Sequence, residues 1–203
     1  MSSITVTGVI LAGGRARRMD GADKGLMNVA GLPLVEHLLA TLRGQVHSIL
    51  INANRNVAHY SAYGVPVFTD VISGYQGPLA GIHRALCLAD TEYVLSVPCD
   101  TPCLPHDLVQ RMLAGVRQRG ATVCVAHDGR RLHPVIALMQ RTLAADLLDY
   151  LDAGNRRVED WLWRHAPAVA DFSDQPEAFV NLNTMDECRM LEEKMKTASV
   201  ASA

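Results

Sequence analysis

Leu11-Ala12-Gly13-Gly14-Arg15-Ala16-Arg17-Arg18-Met19-Asp20-Gly21-Ala22-Asp23-Lys24 leaves an apolar run that begins at Ile4 and turns at once glycine-rich and basic. The run, with Val6, Val9, Ile10 and Leu11, has the length and branched composition of a buried strand, and apolar residues at helical spacing begin at Leu34. Strand, loop and helix in that order put the glycines at a strand's carboxyl end. Two adjacent glycines there let backbone N–H groups approach phosphate oxygens, because no Cβ stands in the way. Arg15, Arg17, Arg18 and Lys24 add positive charge. The spacing excludes the P-loop, G-x-x-x-x-G-K-[ST], and the dinucleotide fingerprint, G-x-G-x-x-G. Taken alone, the stretch fits a polyphosphate cradle or a solvated surface loop.

The same alternation continues outward. Residues 48–51, 65–68, 93–97 and 122–125 read as short strands, and residues 33–42, 78–89 and 105–116 as helices. In the last of these, Leu108, Val109, Met112, Leu113 and Val116 share one face. That order predicts βαβ units around a mostly parallel sheet. Pro33, Pro78 and Pro105 mark the first turns of the three helices, where a missing N–H has no intrahelical partner to lose. In a parallel sheet, helix starts and strand carboxyl ends share one edge, so residues 11–24, 52–55, 70–81 and 98–102 converge on one crevice. Beyond residue 133 the pattern gives a strand at 133–138, helices at 142–151 and 158–163, and a last strand at 179–182. Thr184-Met185-Asp186-Glu187 then matches a capping box. The helix it opens is expected to fray by residue 198, leaving one domain over residues 1–196 and a disordered tail at 197–203.

With 203 residues, 49% of them hydrophobic, the chain has material for one substantial core. A net charge of −2 excludes a general binder of nucleic acid or of membrane surfaces, so positive charge must be concentrated locally. The five cysteines show no paired Cys-x-x-Cys motifs, which predicts free thiols, and the eight histidines lack zinc-site spacing. No stretch approaches the roughly 20 apolar residues of a membrane span, and a cytoplasmic protein is expected.

Several polar residues fall at strand ends. Asp100, in Val97-Pro98-Cys99-Asp100-Thr101-Pro102, is placed either to hold Mg²⁺, which needs few protein carboxylates when phosphates supply oxygen ligands, or to close an Asx turn. Asn52 and Asp70 end the second and third strands, as base or ribose readers or as turn formers. Gly74-Tyr75-Gln76-Gly77-Pro78-Leu79-Ala80-Gly81 leads a second glycine cluster into a helix whose amino end favours an anion, or forms a tight loop. Lys24 attracts a phosphate oxygen at about 4 Å by about 1 kcal/mol in water but about 4 kcal/mol at an effective dielectric near 20, so it matters in a partly dry site.

Leu11-Ala12-Gly13-Gly14, Arg18-Met19, Asp23-Lys24-Gly25-Leu26, Asn52-Ala53-Asn54-Arg55, Gly77-Pro78-Leu79-Ala80-Gly81 and Pro98-Cys99-Asp100-Thr101-Pro102 together resemble the molybdenum cofactor guanylyltransferases. The resemblance continues in order through His133-Pro134, Arg156-Arg157-Val158, Asp171-Phe172-Ser173-Asp174 and Phe179-Val180-Asn181-Leu182-Asn183-Thr184. It implies a three-layer, glycosyltransferase-A-like nucleotidyltransferase of the nucleotide-diphospho-sugar transferase type, moving GMP from Mg-GTP to the molybdopterin form of the molybdenum cofactor. By that resemblance Leu11, Ala12, Gly13, Gly14, Lys24, Asn52, Asp70, Gly77 and Asp100 bind GTP. Lys24, Arg18 and Asp100 act on the phosphates, with Asp100 also the Mg²⁺ ligand, while Gly14, Gly21, Gly77 and Gly81 shape the crevice. Arg156, Asn181 and Asn183 face the pterin substrate, so the amino-terminal half serves GTP and the carboxy-terminal half the pterin.

The resemblance also implies transient contact with cofactor-synthesis proteins and with recipient molybdoenzymes or their chaperones, and no nucleic-acid or membrane partner. One departure is Asp20, where the family often has glycine; its carboxylate is expected to point to solvent. A CTP-dependent relative acting on the same cofactor usually carries Ala at position 13, whereas this chain has Gly. A sugar-phosphate nucleotidyltransferase fits the glycine loop but needs an added domain. A non-catalytic cofactor carrier would have no use for a metal carboxylate opposite a phosphate loop.

Overall fold

The computed structural model describes residues 4–14, 23–71 and 77–201. In chain order the elements are Val6–Leu11 (β1), the hairpin Asn28–Val29 and Leu32–Pro33 (β2, β3), Leu34–Arg43 (α1), Ser48–Asn52 (β4), Val57–Ser61 (α2), Val67–Phe68 (β5) and Pro78–Leu88 (α3). Tyr93–Pro98 (β6), Leu108–Arg119 (α4), Val123–His127 (β7), Leu132–Gln140 (β8), Ala144–Asp152 (α5), Val158–Trp163 (α6), Ala168–Asp171 (β9) and Met185–Ala201 (α7) follow. Single 3-10 turns form at Lys24–Leu26, Arg141–Leu143 and Pro176–Phe179.

All six residues of β1 are buried, a condition met only by a strand in the middle of a sheet covered on both faces. Val6 and Ile10 point to the layer of α1 and α4, where they meet Leu38, Leu39, Leu42, Val109 and Met112. Val9 and Leu11 point the other way, to Leu79 and Ile82 of α3, Leu147 of α5 and Trp161 of α6. Leu38 and Ile82 are fully buried, each contributing about 1.5–3 kcal/mol relative to an exposed side chain. The strand order is β5-β4-β1-β6-β8-β7-β9. β5, β4, β1 and β6 run parallel, β8 runs antiparallel to both its neighbours, and β9 lies parallel to β7. The three-layer, mostly parallel architecture is therefore as expected, and the order reverses at β1, where such sheets open a ligand crevice.

Several local expectations change. Of the three prolines, only Pro78 occupies the first helical position. Pro33 pairs with Asn28 in the hairpin and α1 starts after it, while Pro105 closes a turn with the Leu108 N–H, so α4 starts three residues later than expected. The hairpin itself was not expected; its turn residues Ala30 and Gly31 have φ of 52° and 84°, the left-handed pair of a tight two-residue connection. Nor was α2 expected. Residues 179–182 form no strand: Phe179 ends a 3-10 turn and packs on Phe172 and His133. The last strand is β9, whose alternating burial and small residues give little strand signal. The capping box forms, with Thr184 N–H donating to Glu187 Oε2 at 2.9 Å and Glu187 N–H to Thr184 Oγ1 at 3.2 Å. α7 spans Met185–Ala201. Arg18, Asp20, Gly21 and Gly74 lie outside the described residues.

Candidate active site

A crevice of about 840 Å³ opens along the carboxyl edge of β4, β1 and β6 and is closed on its far side by the start of β8. Leu11, Ala12, Gly13, Gly14, Lys24, Asn52, Asp70, Gly77 and Asp100 all line it, as does Asn181. The distant sequence segments expected to meet therefore do so.

At the β4–β5 end, Asn52 Nδ2 donates to Asp70 Oδ1 at 2.9 Å and Asn54 Nδ2 to Asp70 Oδ2 at 2.7 Å. The Asp70 N–H returns a bond to Asn54 Oδ1 at 2.9 Å, and Asn54 Nδ2 also reaches the Gly13 carbonyl. Asn54 thus brackets the glycine loop to Asp70, a role hidden in the sequence because Asn54 reads as a turn former. Donation to a carboxylate orients the Asn52 amide, leaving its Oδ1 as an acceptor. That oxygen nests between Gly13 and Gly81, whose ideal Cβ positions fall 2.9 and 2.5 Å from it. Glycine is needed at both places for the amide to sit there.

Lys24 occupies the centre. Its Nζ donates to Asp100 Oδ2 at 3.2 Å and to Asn183 Oδ1 at 2.7 Å, so one cation joins the end of β6 to the segment before α7. The preceding residue, Asp23, is fastened by Tyr60 Oη at 2.6 Å and Asn56 Nδ2 at 3.0 Å. Burial first, and then the Asp23 carboxylate, push the Tyr60 phenol far above its ordinary range, so it remains a donor. Asp100 makes no Asx turn; its Oδ1 is buried with no hydrogen-bond partner among the described residues. Such an atom costs about 1–3 kcal/mol until a ligand completes it. Among the described residues no three His, Cys, Asp or Glu cluster to hold a metal, so a cation there must draw most of its ligands from phosphate and water. Cys99, beside Asp100, is no nucleophile, because burial and then the Asp100 charge push its thiol up to about 12.

Beyond Asp100, Asn181 Oδ1 accepts from Thr101 Oγ1 at 3.0 Å, and the Leu182 N–H bonds the Asp100 carbonyl at 2.8 Å. Asn181 and Asn183 therefore flank the Lys24–Asp100 pair from the carboxy-terminal half. Arg156 does not line the crevice: it is exposed and donates to the carbonyls of Leu151 and Asn155 at the end of α5. A cation near a helix carboxyl end is favourable there, which accounts for its position. The turn leading into β8 adds groups that its residue types do not announce. There Asp128 accepts the N–H groups of Arg130 and Arg131 at 2.8 and 2.7 Å, and its Oδ2 lies 2.9 Å from His133 Nε2. Burial acts to raise the Asp128 carboxyl, but those N–H groups and the ring outweigh it and hold the group well below the carboxylate range. The His133-Pro134 pair was the only signal of this feature.

Residues 8–168 match the family model of the MobA-like NTP transferase domain. The chain is 50% identical over 188 residues to the molybdenum cofactor guanylyltransferase of Shewanella pealeana, covering 93% of this chain and 94% of the relative. It is 48% identical over 188 residues to the enzyme of the same name from Shewanella loihica, covering 93% and 96%. Among solved structures, the molybdopterin-guanine dinucleotide biosynthesis protein A of Archaeoglobus fulgidus superposes with a TM-score of 0.77 at 20% identity, covering 94% of this chain and 99% of that one, which is a likeness of fold. The chain thus belongs to the MobA-like NTP transferase family, among its molybdenum cofactor guanylyltransferases.

Proposed function

We propose that the crevice binds GTP with its base toward β4 and β5 and its phosphates against Gly13, Gly14 and Lys24, and transfers GMP to the terminal phosphate of molybdopterin-form molybdenum cofactor. The observation that carries this reading is the pairing of Lys24 with Asp100 beside the glycine loop, with Asp100 Oδ1 buried and unsatisfied. Guanine offers N–H donors on its pairing edge, and Asn52 Oδ1 and Asp70 offer acceptors. The amino end of α3, at Gly77 and Pro78, lines the crevice and favours negative charge.

Asp100 is the residue to hold Mg²⁺, which when bound offsets charge on the triphosphate and the departing diphosphate. Lys24 is close enough to Asp100 to pass from that carboxylate to a phosphate oxygen without leaving the site. The acceptor phosphate is already ionised and needs no strong base. Its oxygen forms a bond to the α-phosphorus in line as the bond to the β-phosphate oxygen breaks, and diphosphate leaves with the electron pair. Asn181 and Asn183 orient the pterin side. GTP, Mg²⁺ and the pterin are then the ligands, with the cofactor-synthesis and recipient proteins as transient partners. Five free thiols accord with a cytoplasmic setting, and no helix among the described residues is long and apolar enough to cross a membrane.

The test incubates the protein with Mg²⁺, the molybdopterin cofactor and each NTP in turn, with products identified by mass. A guanine dinucleotide and one diphosphate from GTP alone are expected. A cytosine dinucleotide, or no diphosphate, would overturn the reading.

A further inference from the structure

The crevice has a second end that none of the nucleotide contacts uses. It is formed by Arg131, the last residue of the turn 128–131, and the first residues of β8. Because an ionised carboxylate can only accept, the 2.9 Å contact with Asp128 keeps the His133 proton on Nε2. The ring is buried and lines the crevice, yet Nδ1 has no partner among the described residues and is not sealed from the cavity. Arg131 is exposed and lines both this crevice and an adjoining cavity of about 430 Å³ that also contains Asn181 and Asn183. Its guanidinium has no hydrogen bond or ion pair among the described residues, whereas its backbone N–H is tied to Asp128. An unpaired guanidinium and the amide donors of an asparagine pair around one opening are suited to an anion, since Arg offers a planar fork of donors to phosphate oxygens, while His133 Nδ1, which carries no proton in this tautomer, accepts from the hydroxyl of a monoprotonated phosphomonoester.

We propose that Arg131 and His133 seat the phosphomonoester end of the second substrate, with Asp128 as a positioning residue that fixes both. The inference rests on the two-substrate reading of the crevice. β8 lies beside β6, with Ala137 opposite Ser96, so the start of β8 adjoins the β6 end that carries Asp100. This is the side left free for an acceptor once a nucleoside lies along β4 and β5. The turn holds its shape without a ligand because all three bonds to Asp128 are internal, and the seat is therefore preorganised.

The experiment compares wild type with Arg131→Gln, a change at an exposed position, and with His133→Gln. The acceptor KM is expected to rise tenfold or more in each, while the GTP dissociation constant, measured with Mg²⁺ and no acceptor, stays within twofold. Asp128→Asn is expected to raise the acceptor KM without lowering kcat and to change the ring ¹⁵N signature of His133. In parallel, inorganic phosphate is titrated into protein saturated with Mg-GTP while the His133 ring resonances are followed. A saturable shift in wild type that disappears in Arg131→Gln supports the seat. An unchanged acceptor KM in Arg131→Gln, or a loss of GTP affinity matching that of the acceptor, overturns it. If wild type shows the phosphate shift but makes no dinucleotide from any NTP, the transfer reading fails while the anion seat stands.

Discussion

Replacing Gly81 by alanine puts a methyl group 2.5 Å from Asn52 Oδ1, 2.9 Å from its Cγ and 3.1 Å from Leu11 Cδ2. The amide is 3% exposed, is tied to Asp70 at 2.9 Å, and has Gly13 against its opposite side, so it cannot swing aside. Reaching an ordinary 3.4 Å contact needs a retreat of about 0.9 Å, enough to take the Asp70 bond beyond hydrogen-bonding range. Overpacking a tight core costs about 1–3 kcal/mol, and a buried hydrogen bond broken on one side about 1–3 kcal/mol more. With about 2–6 kcal/mol lost and roughly 2–4 °C per kcal/mol at this size, Gly81→Ala is expected to lower Tm by about 4–24 °C. GTP affinity should fall about tenfold for each 1.4 kcal/mol withdrawn from the base-reading amide. Calorimetric melting and GTP titration measure both effects. Adding Asn52→Ala should relieve the clash, so the double variant loses less stability than the two single changes summed. A Tm within 1 °C of wild type together with unchanged GTP binding would refute the packing argument.

Three further outcomes are expected. Asp100→Asn should cut turnover at limiting Mg²⁺ by about 100-fold or more, since it replaces the proposed ligand oxygen pair with a neutral amide; wild-type turnover across a Mg²⁺ titration would remove the metal role. Thr184→Ala breaks the capping box of α7 and should cost about 1 kcal/mol, or about 2–4 °C in Tm, and a larger acceptor KM through the loosened Asn183 is the accompanying kinetic readout. The Asp128 carboxyl is held below its unfolded value of about 3.9. Its stabilisation is therefore present above that value and is lost as pH falls through the folded one. Urea unfolding from pH 6 down to pH 2 should show wild type losing more stability than Asp128→Asn, so that the gap between them narrows as pH falls, and a constant gap across that range would contradict the assignment.

Much of the architecture was legible because burial on both faces keeps β1 and β6 mostly apolar, and polar residues stand out where those runs and their neighbours end. Asn52, Asp70 and Asp100 were identifiable for that reason. Segments outside this regime were misread. β9 alternates small residues at a sheet edge, and residues 179–182 look strand-like while serving as a plug under His133 and a brace beside Asp100. Arg156 shares the carboxy-terminal half with Asn181 and Asn183 and donates to the Leu151 and Asn155 carbonyls at the end of α5, contacts its place in the sequence does not announce.

The chain's own order of apolar runs, glycines and strand-end polar residues determined the layered α/β fold, the crevice at its edge and the family. That information is local and periodic, because strand and helix burial repeat over a few residues. Which groups share a proton, a cation or a cavity was decided only in three dimensions. Lys24 meets Asn183 across 159 positions, Asn52 Oδ1 finds its place between Gly13 and Gly81, and Asp128 turns His133 and Arg131 toward one opening. Such contacts depend on distances of about 3 Å between strands whose separation along the chain carries no trace of them.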